Sequence, residues 1–268
     1  MSDAQPTAQI AGRRFRLVDL SVAISNRTAA FEPNSHEITY YDHAHGARTM
    51  SRLLGDGATF PGPTAAADEQ VTLPTHCGTH VDAPYHYGPE SAGQPAATVD
   101  EVPIDWWFGD GFVLDMTHKS AGDSIEADDV EAALGRSGHD LQPGEICLVR
   151  TDVSDHFDEP GYQTLHPGLR RSAVAWLVER GVRVIGIDAW GMDRPFPVMA
   201  AELRAGDADE LWEAHLYGRE RPYCQIEKLT NLRALPPDGF SVASFPVKIE
   251  RAGGAWARVV AFVPDEET

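Results

Sequence analysis

Short apolar runs recur along the chain between turn-forming residues, and most of them have the length of a strand. Valine, isoleucine, leucine and aromatic residues dominate these runs, as is typical of strands in a folded core. The pattern predicts strands at residues 15–22, 70–74, 111–116, 145–150, 182–188, 241–248 and 256–262. Strands therefore outnumber the predicted helices.

Helix signals occur in three segments. Ser124 is a candidate N-cap for a first helix at residues 125–134, and a third helix is predicted at residues 208–217. Pro167 suits the first turn of the second helix, which should stop at Gly181. An apolar strand follows that glycine directly, and this succession of helix, turn and strand is common in α/β folds.

The length and composition of the chain favour one domain. Its 268 residues are 42% hydrophobic, which is enough to bury a full core. The sequence contains no linker, repeat or low-complexity block that would divide it. We therefore expect a single α/β domain over residues 1–268, with flexible ends at about residues 1–14 and 264–268.

Metal-binding and proton-transfer groups are concentrated in the segment His-Cys-Gly-Thr-His-Val-Asp-Ala-Pro-Tyr-His at residues 76–86. Alternate side chains of a strand share a face and lie about 6–7 Å apart. His80 and Asp82 should therefore point the same way and close around one ion. His76 would lie roughly 13 Å from His80 in a straight strand. The chain should bend near Gly78, which has no side chain to obstruct the turn.

The end of this motif should leave the strand. Pro84 cannot donate a hydrogen bond to a sheet, so it should end the strand and move His86 to the rim of the site. Imidazole nitrogens and a carboxylate are a common ligand set for divalent metals, and three such ligands leave positions open for water or substrate. The motif therefore predicts a catalytic metal site, with His86 placed for proton transfer.

The motif resembles the H-x-G-T-H-x-D-x-P-x-H pattern of the metal-dependent hydrolase family called "cyclase", which includes bacterial kynurenine formamidases and isatin hydrolases. The similarity runs from about Asp19 to about Val259, nearly the whole chain. The resemblance implies a mixed, β-barrel-like core with outer helices, the swivelling β/β/α type. It also implies that the metal ligands are His76, His80 and Asp82 and that His86 serves in proton transfer.

Two later segments resemble the part of kynurenine formamidases that completes a two-metal centre. They contain His215 and Glu227. The resemblance leaves two roles open: both residues bind a second ion with Asp82 as the bridge, or they orient water as base and acid. Zn²⁺ is the expected metal and Mn²⁺ the alternative, with one or two ions per chain.

The expected reaction is hydrolysis of an amide, cyclic amide, ester or lactone bond in a small aromatic or cyclic substrate, through a metal-activated water. Two alternatives stay open. In a polyketide-type cyclase or dehydratase the metal would stabilise an enolate. A non-catalytic metal-binding protein is the other, but structural sites favour four Cys or His ligands, and His86 and Glu227 would then have no task.

Three residues outside the motif are candidates for substrate contact. Trp190 follows a predicted strand, where loops commonly carry function, and a position in the core is the alternative for it. His166 precedes the second predicted helix, whose N-terminal amides favour negative charge. The loop that carries a substrate-contacting tryptophan in kynurenine formamidases offers Phe31 here.

Charge and cysteine content limit the partners. The formal net charge is −19 and Lys and Arg are not clustered, which argues against nucleic acid or an anionic membrane. No apolar stretch approaches the roughly 20 residues of a membrane span, and residues 1–16 lack the apolar centre of a signal peptide. Three cysteines without a C-x-x-C pair predict neither disulfides nor a thiolate zinc site. We expect a cytoplasmic enzyme acting on a small molecule, and the resemblance implies a homodimer or homotetramer.

Overall fold

A large mixed sheet dominates the computed structural model, which describes residues 6–27, 32, 36–206 and 211–265. The strands of these residues are β1 (Thr7–Ile10), β2 (Arg13–Asp19), β3 (Glu37–Tyr41), β4 (Asp68–Thr72), β5 (His80–Asp82), β6 (Glu90–Ser91), β7 (Gln94–Pro95), β8 (Phe108–Asp115), β9 (Ser124–Ile125), β10 (Ile146–Arg150), β11 (Gly168–Leu169), β12 (Val184–Ile187), β13 (Cys224–Glu227), β14 (Phe240–Ala243), β15 (Gly254–Trp256) and β16 (Val260–Pro264). Ten of these described strands form the large sheet, in the order β1-β2-β16-β14-β8-β10-β12-β13-β5-β15.

Among the described residues, helices are fewer than strands. Those of the described residues are α1 (His43–Leu54), α2 (Pro84–Tyr87), α3 (Ala127–Ser137), α4 (Arg171–Glu179), α5 (Phe196–Ala205) and α6 (Glu213–Tyr217). Within the described ranges, none of them combines the length and the apolar character needed to cross a bilayer.

The sheet changes from parallel to antiparallel where the motif lies. Strands β8, β10, β12 and β13 run parallel to one another. β5, which carries His80 and Asp82, pairs antiparallel with β13 on one side and with β15 on the other. This pairing buries the motif strand between two neighbours.

Apolar residues pack on both faces of the sheet. On one face, strand residues such as Phe112 and Leu114 pack with residues of α3, α4 and α6. On the other face, strands near both ends of the sheet order contribute to a single cluster, which includes Val18 of β2 and Ala255 of β15. Ser21, which follows β2, also forms a β-bridge with Leu229, which follows β13, so the sheet curves around this second cluster, in agreement with the expected barrel-like core and outer helices.

The chain forms two compact units. Residues 1–23 and 75–268 form the larger unit, which contains the large sheet and the whole histidine motif. Residues 24–74 form the smaller unit, in which β3 and β4 pair antiparallel and Asp42 caps α1 by accepting a hydrogen bond from the backbone N–H of His45. The single-domain organisation of residues 1–268 stays a prediction.

The N-terminal segment differs from the expected flexible end. β1 begins at Thr7 and pairs antiparallel with β2 through a turn at Ala11 and Gly12, both of which have positive φ. At the other end, β16 extends to Pro264. Pairing in the large sheet therefore orders residues that composition alone assigned to loose ends.

Two predicted helix starts are displaced for one reason. Ser124–Ile125 and Gly168–Leu169 pair with each other as β9 and β11, so these residues are not free to begin helices. α3 begins at Ala127, where Glu126 and Asp129 form a capping box. α4 begins at Arg171 rather than at Pro167.

The described residues between β12 and β13 form two short helices instead of one. The third predicted helix is confined to α6, Glu213–Tyr217, within the described residues. α5, Phe196–Ala205, occupies a segment for which the sequence predicted no helix, and Pro197 lies in its first turn, where proline is tolerated.

Candidate metal centre

β5 brings two motif side chains together as its alternation predicts. His80 and Asp82 are each 1% exposed, and His80 Nε2 lies 3.4 Å from Asp82 Oδ1. Strand pairing adds a third group, because Glu227 of β13 is the register partner of His80. Its Oε2 lies 3.6 Å from the same His80 Nε2. Three ligand-type side chains therefore meet on one face of the sheet.

The predicted bend brings His76 to this cluster. Gly78 has a φ of 61°, a left-handed conformation that glycine adopts without steric cost. His76 Nδ1 then lies 2.6 Å from Asp82 Oδ1. Gly254 of β15 provides the space, since a Cβ there would lie 2.8 Å from His76 Cε1 and 3.1 Å from Asp82 Oδ1.

Pro84 ends the strand and places His86 at the rim, as expected. β5 stops at Asp82 and α2 begins at Pro84. The His86 ring centre lies 4.1 Å from that of His76 and 5.5 Å from that of His215. Burial lowers the pKa of His86 to about 4, against the opposing charge of Asp82. Its imidazole is therefore neutral near pH 7.

His215 enters from α6 and is fixed by a carboxylate that sequence reasoning missed. Asp193 Oδ2 lies 2.5 Å from His215 Nδ1, and Asp193 Oδ1 accepts a hydrogen bond from the backbone N–H of Ala214. This contact holds the Nδ1 proton, so His215 Nε2 presents its lone pair. That nitrogen lies 3.9 Å from Asp82 Oδ2 and 4.0 Å from Glu227 Oε1.

Two further neighbours of the centre were also missed. Trp212 stacks on His215 with ring centres 4.3 Å apart and stands edge-on to His86 at 5.9 Å. Its φ of 54° is left-handed, which is rare for a bulky residue and marks a constrained position. Lys228 follows Glu227 and is almost fully buried. Neither residue type stands out in the sequence, because position in the fold alone gives them a role.

The donor set fits a divalent cation. Among the described residues, His76, His80 and Asp82 form one group with ligand atoms within 4.8 Å of one another, and Asp82, His86 and His215 form a second. Asp82 belongs to both groups. Also within the described part of the chain, His80 Nε2 and Asp82 Oδ2 are buried without a hydrogen-bond partner. A bound cation would satisfy both atoms.

Protonation of the carboxylates supports this fit. Burial acts against ionisation of Asp82, but the neighbouring histidines, His80 first among them, hold its pKa well below the usual range. Burial raises the pKa of Glu227, and the charge of Asp82 adds to the rise. Two buried carboxylates this close ionise together when a cation lies between them.

Two imidazoles have raised pKa values for a related reason. Burial works against protonation of His76 and of His215. At His76 the hydrogen bond and charge of Asp82 outweigh the effect of burial, so the pKa of His76 is raised. At His215 the hydrogen bond and charge of Asp193 outweigh it in the same way, and the pKa of His215 is raised as well. The carboxylates of Asp82 and Asp193 therefore favour positive charge at His76 and at His215, on two sides of the centre.

The remaining candidates for substrate contact lie in different surroundings. Trp190 is half-buried, and its ring centre lies 5.3 Å from Lys228 Nζ. His166 is 1% exposed, and its Nδ1 donates to the Pro167 carbonyl rather than facing a helix N-terminus. Phe31 lies outside the described residues. Substrate contact by these three residues stays a prediction.

Known proteins resemble the chain in sequence and in fold. The isatin hydrolase of Roseibium aggregatum is 29% identical over 214 residues, which cover 72% of this chain and 74% of the relative. The kynurenine formamidase of Bacillus mycoides is 29% identical over 167 residues, which cover 57% and 71%. A solved isatin hydrolase bound to the product analogue thioisatinate superposes with a TM-score of 0.72 at 22% identity, covering 94% and 93%.

The family match covers the histidine motif and the strands β5, β8, β10 and β12 of the large sheet. The model of the family described as "Putative cyclase" matches residues 18–194, more than half of the chain. These residues include the motif segment and Asp193 in the loop after β12. The chain therefore belongs to this cyclase family.

Proposed function

We propose that this protein is a metal-dependent hydrolase that cleaves an amide, cyclic amide, ester or lactone bond in a small aromatic or cyclic substrate. The observation that carries the proposal is the buried carboxylate of Asp82, which two groups of histidines share. The names of the relatives, isatin hydrolase and kynurenine formamidase, favour amide bonds among these substrates.

The metal would be held by His76, His80 and Asp82. A second ion would be held by His215 and Glu227 with Asp82 as the bridge, and the proximity of His86 to that group makes it a competing ligand. When bound, a divalent ion supplies a Lewis acid and lowers the pKa of water towards neutrality. Zn²⁺ is the proposed ion and Mn²⁺ the alternative, because nitrogen and carboxylate ligands suit both.

His86 is the proposed proton carrier. Its imidazole is neutral near pH 7 and lies at the rim, beside both metal-binding histidine groups. It can therefore take a proton from the attacking water and deliver it to the leaving nitrogen or oxygen. Glu227 is fixed by the backbone N–H of Met192, which donates to Oε1 at 2.8 Å, and this leaves Oε2 directed at His80. A second role for Glu227 as acid or base is part of the proposal.

Aromatic side chains beside the centre favour a flat substrate. Trp212 borders His86 and His215, and Trp190 is a candidate wall on the side of Lys228. His166 and Phe31 complete the set of proposed substrate contacts. A homodimer or homotetramer and a cytoplasmic location are further parts of the proposal.

The experiment is turnover of a small panel consisting of isatin, an aryl formamide, a cyclic imide and a lactone, in ¹⁸O-labelled water. The wild-type protein should hydrolyse at least one amide and incorporate one ¹⁸O atom into the acid product. His86→Ala should lose about 10²–10⁴-fold in turnover, the usual share of a general acid–base residue. His118→Ala, at an exposed histidine, is the matched control and should retain full activity.

Two outcomes contradict the proposal. If the panel is not hydrolysed and a polyketide-type substrate tested beside it undergoes ring closure without oxygen incorporation, the cyclase or dehydratase alternative is identified. Metal binding without turnover of any substrate class would leave the non-catalytic alternative.

A further inference from the structure

Lys228 is a buried cation at the edge of the metal centre. Only 2% of its surface is exposed, and burial of an ammonium group is costly unless its charge and protons find partners. Its Nζ donates a hydrogen bond to the backbone carbonyl of His76 at 2.9 Å. The same Nζ lies 5.3 Å from the ring centre of Trp190, within the range of a cation–π contact. The side chain therefore joins the end of β13 to the loop that carries His76.

The backbone of Lys228 is held as firmly as its side chain. Its φ of 58° lies in the left-handed region, which costs a non-glycine residue about 1–3 kcal/mol. The backbone N–H donates to the Ala189 carbonyl at 2.9 Å, and the carbonyl accepts from Thr79 Oγ1 at 2.6 Å. These bonds fix the conformation that directs the lysine side chain beneath the loop.

His76 is the proposed ligand that most needs such support. His80 and Asp82 are fixed by β5, Glu227 by β13 and His215 by α6. His76 lies in the loop before β5, outside any helix or strand. Its side chain is 33% exposed, against 1% for the Asp82 side chain that it contacts. A loop ligand without backbone anchoring would move away from the ion, and the Lys228 ammonium provides such an anchor.

We propose that Lys228 is a positioning residue that holds His76 in place for metal binding by bonding to the His76 backbone carbonyl. The proposal rests on the proposed function in one respect, the role of His76 as a metal ligand. In this role Lys228 acts through the His76 backbone and contacts neither the substrate nor the ion.

A double-mutant cycle tests the proposal directly. The metal dissociation constant is measured by titration of the Zn²⁺-free protein against a chromophoric chelator, for wild type, Lys228→Met, His76→Ala and the double variant. Lys228→Met should bind Zn²⁺ about 10–100-fold more weakly, the usual effect of losing a group that orients a ligand. In the His76→Ala background the same change should have no further effect, because the ligand that Lys228 holds is already absent.

Two controls separate this role from general destabilisation or lost charge. Lys248→Met removes an exposed lysine and should leave the dissociation constant unchanged. Lys228→Arg keeps a cationic donor and should recover part of the affinity. Excess Zn²⁺ should restore kcat of Lys228→Met, since the displaced ligand can still bind, whereas a lost substrate contact would not be restored.

If Lys228→Met does not fold, Lys228→Gln replaces it in the cycle, because glutamine keeps a hydrogen-bond donor. This variant should show a smaller loss of Zn²⁺ affinity with the same dependence on His76.

The contradicting results are distinct. Unchanged Zn²⁺ affinity in Lys228→Met, with a wild type that binds Zn²⁺, would overturn this inference alone. Equal losses in the presence and absence of the His76 side chain would also overturn it, because Lys228 would then act by another route. A wild type that binds no metal would contradict both this inference and the proposed function.

Discussion

Single polar atoms in the candidate centre owe their chemistry to the neighbours that orient them. His80 Nδ1 donates to the Gly78 carbonyl at 2.8 Å, and His215 Nδ1 is held by Asp193. Each contact fixes one ring nitrogen as the donor and leaves Nε2 as a lone pair facing Asp82. The neighbours of Nδ1 therefore orient both rings so that their Nε2 atoms face the centre before any ion binds.

Asp193→Asn should weaken metal binding at the His215 side of the centre. An amide offers a single acceptor oxygen where the carboxylate uses both, for the His215 ring and for the Ala214 backbone N–H. We expect about a 10–100-fold rise in the metal dissociation constant. Asp188→Asn is the matched control, because Asp188 is also buried but accepts hydrogen bonds from the Thr151 hydroxyl and the Asp152 backbone N–H instead. Equal losses in the two variants would contradict the specific role of Asp193.

His166 should make stability depend on pH. Burial lowers its pKa, despite the bond to the Pro167 carbonyl, so the native protein binds fewer protons than the unfolded chain. The contribution of His166 is therefore fully present above the unfolded pKa of about 6.5 and decreases as pH falls towards the lowered native value, by at most about 1.4 kcal/mol per pH unit. The difference in unfolding free energy between wild type and His166→Gln, measured by urea denaturation, should shrink from pH 7.5 to pH 5. A difference that grows in acid would contradict this expectation.

At the level of strands, the pairing register brings together ligand side chains from different strands, which the alternation of side chains along one strand cannot do. His80 and Asp82 follow from the two-residue period of a strand, and the bend at Gly78 and the stop at Pro84 follow from local residue chemistry. Glu227 reaches the same face only because β13 pairs with β5 in the register that sets Glu227 opposite His80. That register is a long-range property, so His215 and Glu227 could be predicted from the family resemblance but not from spacing.

Gly254→Ala tests the closeness of this strand packing. A Cβ at Gly254 would lie 2.6 Å from the Val81 carbonyl oxygen and 2.8 Å from His76 Cε1, so β15 or the His76 ring must move. We expect loss of about 1–3 kcal/mol in unfolding free energy and weaker metal binding. Gly135→Ala in α3 is the control, because nothing lies within 4 Å of the added methyl group, and it should be neutral or stabilising. Wild-type metal affinity in Gly254→Ala would contradict the packing argument.

Other elements show where the sequence was insufficient for a physical reason. The first two helix starts were misplaced because a distant two-residue pairing of β9 with β11 overrides local capping signals. Asp193 reads as an ordinary loop acid and Lys228 as an ordinary surface lysine, since burial depends on chain segments far away in sequence. The core strands β8, β10 and β12 were predictable because their apolar runs are continuous and local, whereas the run predicted as one strand at residues 256–262 is divided between β15 and β16.

For the protein as a whole, a formal net charge of −19 attracts divalent cations to the surface. Binding at the candidate centre must therefore be distinguished from non-specific binding to acidic side chains. An ion that binds only the native protein raises its free energy of unfolding by about 2.7 kcal/mol when the free ion concentration is 100 times the dissociation constant. Zn²⁺ or Mn²⁺ should therefore raise Tm and a chelator should lower it. Ca²⁺ prefers all-oxygen sites and should have little effect. An equal rise with Ca²⁺ would indicate binding to the acidic surface instead.

The most direct measurement is elemental analysis of metal bound to purified wild type and to Asp82→Asn after loading and removal of excess ion. Asp82 is shared by both groups of ligands, so one or two Zn²⁺ or Mn²⁺ ions per wild-type chain are expected, with most of this metal absent from Asp82→Asn. His118→Ala should retain the wild-type content. A wild type without bound metal after loading, or an Asp82→Asn variant with undiminished metal, would contradict a metal centre built around Asp82.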